Sequence, residues 1–372
     1  MQFIDLQRQY RAYQADIDAR MRNVLEHGQY ILGPEVAELE GLLAQRIGVK
    51  HAITCANGTA SLEIALRAIG IGPGDEVITT PFTWISTAEV VKLVGATPRF
   101  VDIDAESFNL DPDQLPDAVT DRTRAVIAVD LFGQMADYER IRAVADVHGL
   151  TVIEDGAQSL GATRNGTASC GAAPIGSTSF FPTKTLGCYG DGGALFTSDD
   201  TVAERITAIR VHGDRRHEHR YLGTNGRFDT LQAAVVLAKL PNFDRELSAR
   251  RRIADRYTAR LRDVCRVPVV CSGNTHVYSC YTIRVRHRDR VAEALRDDGV
   301  PTRIYYPRCL HEQPVLSDLG YGPGDFPVAE RAALEVISLP MHPFLTDAEQ
   351  DRVVDAVRRA VERVEPAVTD GH

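Results

Sequence analysis

Ser177–Thr197 reads STSFFPTKTLGCYGDGGALFT, and this stretch decides the fold. One lysine, Lys184, sits between two apolar strand-like runs and is followed by a cluster of glycines. Upstream, another apolar run ends in Glu154-Asp155-Gly156-Ala157-Gln158. A lone lysine in a glycine-rich turn and an acid at a strand end suit pyridoxal phosphate. The lysine amine holds the cofactor aldehyde as a Schiff base. The carboxylate keeps the pyridine nitrogen protonated, so the ring can act as an electron sink.

Working outward, short β-branched runs alternate with amphipathic stretches. The predicted strands are His51–Cys55, Glu76–Thr80, Arg99–Asp102, Ala125–Asp130, Leu150–Glu154, Ser177–Phe181 and Gly193–Thr197. Helices such as Ser61–Ile69 and Asp137–His148 lie between several of them. This alternation predicts an α/β domain with a mostly parallel sheet. Val202–Val211, Asp229–Leu240 and Arg245–Val264 read as further helices, and the run Arg250-Arg251-Arg252 as a solvated helix face. Beyond Val264 the pattern changes. Cys280–Val285 alternates like an edge strand, Thr302–Tyr305 reads as another strand, and Arg290–Asp298, Ala329–Glu335 and Asp347–Val364 as helices. We therefore expect a large domain over residues 1–243, with an N-terminal arm, and a smaller α+β domain over 244–372. Pro366–His372 is expected to fray.

The 372 residues are enough for two such units. Charged residues make up 25% and the net charge is −9. An acidic chain argues against nucleic acid as a partner. The seven cysteines are scattered without CxxC or zinc-ligand spacing, which suits reduced thiols and no bound metal. The first twenty residues carry charges throughout and lack an apolar signal region. No stretch is long and apolar enough to span a membrane, so a cytoplasmic protein is expected.

Polar clusters fall at strand ends, where open α/β sheets bind ligands. Asn57-Gly58-Thr59-Ala60-Ser61 precedes a helix, and its N–H groups and hydroxyls suit a phosphate; an ordinary helix cap also explains them. Phe82 and Trp84 follow a strand, and either can stack on a flat ring or simply pack the core. Asp155 with Gln158 reads as a catalytic pair or as a helix capping box. Ser179 lies close enough to Lys184 along the chain to share its ligand. Gly187, Gly190, Gly192 and Gly193 are read as letting the backbone approach that ligand. Asn225 and Arg227 sit in a polar loop before a helix capped by Asp229.

Taken in order, these segments resemble the DegT/DnrJ/StrS group of pyridoxal phosphate-dependent sugar aminotransferases, of the aspartate aminotransferase fold type (type I). The resemblance covers nearly the whole chain. It includes FIDL (Phe3–Leu6), GQYILGPEV (Gly28–Val36), NGTASLEIAL (Asn57–Leu66), GPGDEVI (Gly72–Ile78), VDID (Val101–Asp104) and LFGQ (Leu131–Gln134). It continues through EDGAQS (Glu154–Ser159), SFFPTK (Ser179–Lys184), GDGGA (Gly190–Ala194), NGRFDTLQAA (Asn225–Ala234) and SLPMHP (Ser338–Pro343). It implies a large domain with a seven-stranded, mostly parallel sheet and a smaller C-terminal domain. It also implies that Lys184 carries the cofactor, Asp155 pairs with its ring nitrogen, and Gln158 lies near its ring oxygen. Gly58, Thr59 and Ser179 would hold the phosphate, joined by Asn225 of a second copy in a homodimer with shared active sites. Phe82 is preferred over Trp84 as the stacking ring. Gly156 stands where many members have alanine. A dehydratase branch has histidine in place of the lysine, so Lys184 points to amine transfer.

The resemblance further implies L-glutamate as amino donor and a nucleotide-linked keto-sugar as acceptor. His212-Gly213-Asp214-Arg215-Arg216 is similar to enzymes that aminate UDP-2-acetamido-3-keto-uronic acids for O-antigen and related polysaccharides. Arg215, Arg216 or Arg227 would pair with the uronate carboxylate; a solvated basic loop explains them as well. Tyr30, Tyr305, Tyr306 and His311 are expected to face the sugar, and His342 is similar. The alternatives are a 4-keto-6-deoxy nucleotide sugar or a ketocyclitol as acceptor in antibiotic synthesis. A desulfurase or lyase would need a mobile-loop cysteine, and Cys188 sits too near Lys184 for that. A non-catalytic scaffold would not need Lys184, Asp155, Gln158 and Ser179 together.

Overall fold

A computed structural model describes residues 1–215 and 218–364, with Arg215 described by its backbone alone. Arg216 and the segment Pro366–His372 lie outside the described residues.

Two helices come first, α1 (Leu6–His27) and α2 (Pro34–Ile47). Asp5 caps α1 by accepting a hydrogen bond from Arg8 N at 2.9 Å. The alternating part follows: β1 (His51–Cys55), α3 (Gly58–Ala68), β2 (Glu76–Thr79), α4 (Ser86–Leu93), β3 (Thr97–Phe100) and the short α5 (Leu115–Ala118). Next come β4 (Thr123–Val129), α6 (Tyr138–His148) and β5 (Thr151–Asp155). A small hairpin, β6 (Thr163–Arg164) and β7 (Thr167–Ala168), leads to β8 (Ile175–Ser179) and β9 (Gly193–Thr197). The main sheet has seven strands in the order β1-β9-β8-β5-β4-β2-β3. Its pairs from β8 to β3 are parallel, and β9 alone runs against both of its neighbours. The sheet matches the expected one, with strand ends displaced by one or two residues.

Apolar side chains on both faces bury this sheet, as parallel sheets require. Ile53, Ile64, Val77, Ile127 and Leu195 share one cluster. Ile78, Val126, Val152, Phe180 and Phe196 belong to a second, together with residues of α2 and α8.

After α7 (Asp200–Arg210) and a hairpin of β10 (Asp214–Arg215) with β11 (Glu218–His219), α8 (Thr230–Lys239) packs on α1 and α2. The long α9 (Phe243–Leu261) then bridges two cores. Phe243 and Leu247 pack beneath the main sheet, while Ile253, Ala254, Tyr257 and Leu261 join another cluster. That second core also contains β12 (Tyr281–Arg284), α10 (Arg288–Asp297), β13 (Val336–Leu339) and α12 (Asp347–Val364). Between them, α11 (Pro327–Glu335) is capped from the main sheet: both oxygens of Asp102 accept backbone N–H bonds, from Val328 and Ala329, at 2.9 Å. This ties the end of β3 to the C-terminal part.

The arginine run on α9 is only partly a solvated face. Arg250 is buried and donates to the carbonyls of Tyr278 and Met341. The strand expected over Thr302–Tyr305 is reduced to a single bridge between Arg303 and Ser338. Among the described residues, no helix is long and apolar enough to cross a membrane.

Candidate active site

The carboxyl ends of β5 and β8, the N-terminus of α3 and the loop after β8 surround one cavity of about 750 Å³. Gly58, Thr59, Asp155, Gln158, Ser179 and Lys184 all line it. Six candidates spread over 127 positions of sequence thus meet at one place.

Asp155 is the last residue of β5, and no helix follows it, so the capping-box reading of Asp155 and Gln158 does not apply. Its Oδ1 accepts from Ala157 N at 3.3 Å and its Oδ2 from the Thr87 hydroxyl at 3.1 Å. Burial raises the Asp155 carboxyl above the usual carboxylate range, and the Lys184 charge works against that rise. Burial lowers the Lys184 amine, and Asp155 partly restores it. Lys184 is reachable from the cavity yet surrounded by protein, so a neutral, nucleophilic amine forms more readily than on an exposed lysine.

Gln158 is held on both sides: its Oε1 accepts from Phe132 N at 2.9 Å, and its Nε2 donates to the Tyr306 hydroxyl at 3.3 Å. Asn57 caps α3 through Ala60 N at 2.7 Å, and Gly58 and Thr59 of the first turn line the cavity. Thr59 and Ser86 share a hydrogen bond of 2.6 Å beside them. A Cβ on Gly58 would come within 2.8 Å of Ser179 Cβ, so only glycine lets these two cavity walls meet.

The glycines after Lys184 do a different job from the expected one. A Cβ on Gly187 would lie 2.6 Å from the carbonyl oxygens of Phe181 and Pro182, and one on Gly193 2.7 Å from the Asn57 backbone. They fold the lysine loop onto the protein itself. Buried Lys239 steadies the same loop, donating to the Gly187 carbonyl at 2.7 Å and lying 4.1 Å from the Tyr189 ring centre.

Of the two aromatic candidates, Trp84 and not Phe82 lines the cavity. Phe82 is 0% exposed and does not line the cavity; it packs edge-on beneath Tyr306. Trp84 is 59% exposed and does line it. Tyr305 and Tyr306 line the cavity. His311 does not: it is 3% exposed, packs against Phe326 and meets Glu330 at 3.2 Å. His342 is also buried, and burial lowers it to about 4. Tyr30, Asn225 and Arg227 lie outside this chain's own cavity, with Tyr30 47% exposed. Arg215 has no described side chain.

Sequence reading missed several neighbours. Thr87 holds Asp155 from within α4, and Cys280 and Ser279 enter the cavity from the C-terminal part. No motif marked them. Among the described residues, four charged side chains line the cavity, the acids Glu63, Asp155 and Asp191 and the single cation Lys184.

The donor set fits pyridoxal phosphate. A helix N-terminus with hydroxyls suits the phosphate, a buried acid suits the ring nitrogen, a buried amine suits the aldehyde, and Trp84 offers a ring face.

Comparison with known proteins agrees with this geometry. The model of the DegT/DnrJ/EryC1/StrS aminotransferase family matches residues 12–358. The UDP-2-acetamido-2-deoxy-3-oxo-D-glucuronate aminotransferase of Pseudomonas aeruginosa is 49% identical over 350 residues, covering 94% of this chain and 97% of that one. A DegT/DnrJ/EryC1/StrS aminotransferase structure from Brucella abortus superposes with a TM-score of 0.94 at 43% identity, covering 96% of this chain and 99% of that one. The structure of NtdA from Bacillus subtilis with bound cofactor PMP gives a TM-score of 0.90 at 29% identity, covering 97% of this chain and 85% of that one.

Proposed function

The chain belongs to the DegT/DnrJ/EryC1/StrS aminotransferase family and is a pyridoxal phosphate-dependent aminotransferase, and from that premise we propose that it moves an amino group from L-glutamate to a nucleotide-linked keto-sugar. The observation that carries this reading is the meeting of Lys184, Asp155 and the N-terminus of α3 in one cavity. When bound, pyridoxal phosphate supplies an aldehyde for a primary amine and a ring that draws electrons from the adjoining carbon.

The rest falls to the protein. Lys184 Nζ would hold the aldehyde carbon. Displaced by the donor amine, Lys184 Nζ would be free to take the proton from the donor α-carbon and return it two bonds away, to the carbon that had been the aldehyde's. Asp155, fixed by Thr87 and Ala157, would keep a negative charge at the ring nitrogen. Gly58, Thr59 and Ser179 would take the phosphate, Gln158 the ring oxygen, and Trp84 one face of the ring. Water would release 2-oxoglutarate by supplying its carbonyl oxygen, and the keto-sugar carbonyl would then meet the same groups in reverse order, giving a water back.

Two further assignments follow from charge. Glutamate, the phosphate and a uronate are all anionic, while Lys184 is the sole cation lining the cavity among the described residues. A second copy of the chain would add Asn225 and the cations Arg215 and Arg227, making the active unit a homodimer with shared sites. The acceptor we favour is UDP-2-acetamido-3-keto-uronic acid, the sugar named in the 49%-identical relative. An arginine from the partner's loop would pair with its carboxylate, and Tyr305 and Tyr306 would line its path. We place the reaction in the cytoplasm, supplying amino sugars for O-antigen or a related polysaccharide, and divide the chain at residues 243 and 244.

The test is a panel of acceptors with nitrogen-labelled glutamate: the UDP-3-keto-uronate, its non-carboxylated UDP counterpart, and a dTDP-4-keto-6-deoxy sugar. Label is expected in the uronate product at the highest kcat/KM. A clear preference for the dTDP-sugar would overturn the uronate assignment.

A further inference from the structure

Two more acids lie behind Asp155, and amine transfer as described leaves them unused. Asp130 directly follows β4, and Glu154 directly precedes Asp155 on β5. Successive strand side chains face opposite ways, so Glu154 points away from the cavity that Asp155 enters. Asp130 and Glu154 are each 0% exposed. Among the described residues, neither carboxyl pairs with a lysine, arginine or histidine.

Among the described residues, their hydrogen-bond donors are all uncharged. Asp130 Oδ1 accepts from Ala136 N and the Tyr138 hydroxyl, both at 2.8 Å, and Oδ2 accepts from the Ser159 hydroxyl at 2.7 Å. Glu154 accepts from Cys170 N at 2.5 Å and Ala172 N at 3.0 Å, and Ser159 Oγ, the Asp130 donor, lies 2.5 Å from Ser169 Oγ on the Glu154 side. Glu154 pairs in register with Ala128, two residues before Asp130, so the two carboxyls share one face of the sheet; two ionised carboxylates buried side by side without a cation are unfavourable, and a proton on one relieves this. Burial and the Glu154 charge push Asp130 well above the carboxylate range; burial also raises Glu154, but two backbone N–H groups pull it back. Tyr138 and Cys170 face the pair, and burial raises both, so they stay neutral near pH 7. Asp155 adjoins the pair, and its carbonyl accepts from Asp130 N at 3.1 Å.

We propose that Asp130 and Glu154 form an acid–carboxylate pair sharing one proton, and that this pair positions Asp155 and sets the charge behind it. The proposal rests on assigning Asp155 to the cofactor ring nitrogen. Side chains anchored by Ala136, Tyr138, Ser159, Cys170 and Ala172 lock the ends of β4 and β5, and Asp155 is the residue they hold. The pair carries one negative charge, which reinforces Asp155 in favouring a protonated ring. Two buried charges with no cation would repel each other and Asp155.

The proton is tested by infrared difference spectroscopy on the holoenzyme at pH 7, wild type minus Asp130→Asn. The carbonyl stretch of a protonated carboxylic acid is expected in the wild type and absent from the variant. Its absence from the wild type would overturn the pair. The charge is tested by the pH midpoint of the visible band of the Lys184-bound cofactor. Asp130→Asn resembles the protonated acid and leaves Glu154 charged, so its midpoint is expected to stay within a few tenths of a pH unit of wild type. Asp130→Asn with Glu154→Gln removes the charge and is expected to lower the midpoint by about one unit, roughly tenfold in proton affinity. A folded double variant with an unmoved midpoint, or a single variant that shifts as far, would overturn the charge-setting role. If the double variant does not fold, the infrared result decides. Asp155→Asn serves as a control: if it leaves the band and cofactor affinity unchanged, the Asp155 assignment has failed and the shared proton is judged on its own infrared band.

Discussion

The Thr87 hydroxyl donates a hydrogen bond to Asp155 Oδ2 across 3.1 Å, from α4 to the end of β5. Burial opposes the Asp155 charge, and this donor favours it. Thr87→Val keeps the shape and removes the bond. A bond to a charged group contributes about 1.5 kcal/mol, so kcat is expected to fall roughly tenfold, while Thr87→Ser stays near wild type. Steady-state kinetics of both variants checks this; equal kcat in all three proteins would remove Thr87 from the site.

Trp84 and Phe82 should separate cleanly. Trp84→Ala is expected to weaken cofactor binding with little change in the melting temperature of the apoprotein. Phe82→Ala, cut from the core, is expected to cost about 3–5 kcal/mol of stability. Fluorescence titration with pyridoxal phosphate and thermal melts read the two effects separately.

At Gly58 a single methyl group is the probe. Gly58→Ala places a carbon 2.8 Å from Ser179 Cβ at the base of the phosphate position. Overpacking of this kind costs about 1–3 kcal/mol. Pyridoxal phosphate affinity is therefore expected to drop by roughly ten- to a hundredfold. Equilibrium dialysis checks the value, and unchanged affinity would place the phosphate elsewhere.

Lys239 makes a pH signature. Burial lowers its amine to about 8, against 10.5 for an ordinary lysine. Between those values the unfolded chain holds the proton and the folded chain does not, so this group adds stability as pH rises from about 8 to 10.5. Lys239→Met lacks that rise. The melting temperature of wild type minus variant is expected to grow across this window; a flat difference would mean that Lys239 titrates normally.

The sheet was legible because β-branched runs and polar strand ends follow directly from burial on two faces. Lys184 and Asp155 were legible for a related reason, since charge beside apolar runs is costly unless used. Thr87 was not, because Ser86-Thr87-Ala88-Glu89 reads as any helix start. Cys280 and Ser279 reach the cavity only through tertiary folding, about a hundred residues downstream of Lys184. Phe82 misled because a ring at a strand end suits a ligand and a core equally, and only burial separates the two. Helices α1 and α2 carry many charges and no chemical motif, so they passed without notice. His311 looked like a substrate contact from its neighbours Tyr305 and Tyr306, but its own turn faces Phe326.

The most direct test of Lys184 and Asp155 as a working pair is the absorption spectrum of the purified protein with pyridoxal phosphate, before and after L-glutamate. The visible band of the lysine-bound cofactor is expected to give way to the near-ultraviolet band of pyridoxamine phosphate, and Lys184→Ala is expected to show neither the starting band nor the conversion. A cofactor that binds wild type and Lys184→Ala alike, with the same spectrum and no response to glutamate, would contradict the assignment of Lys184.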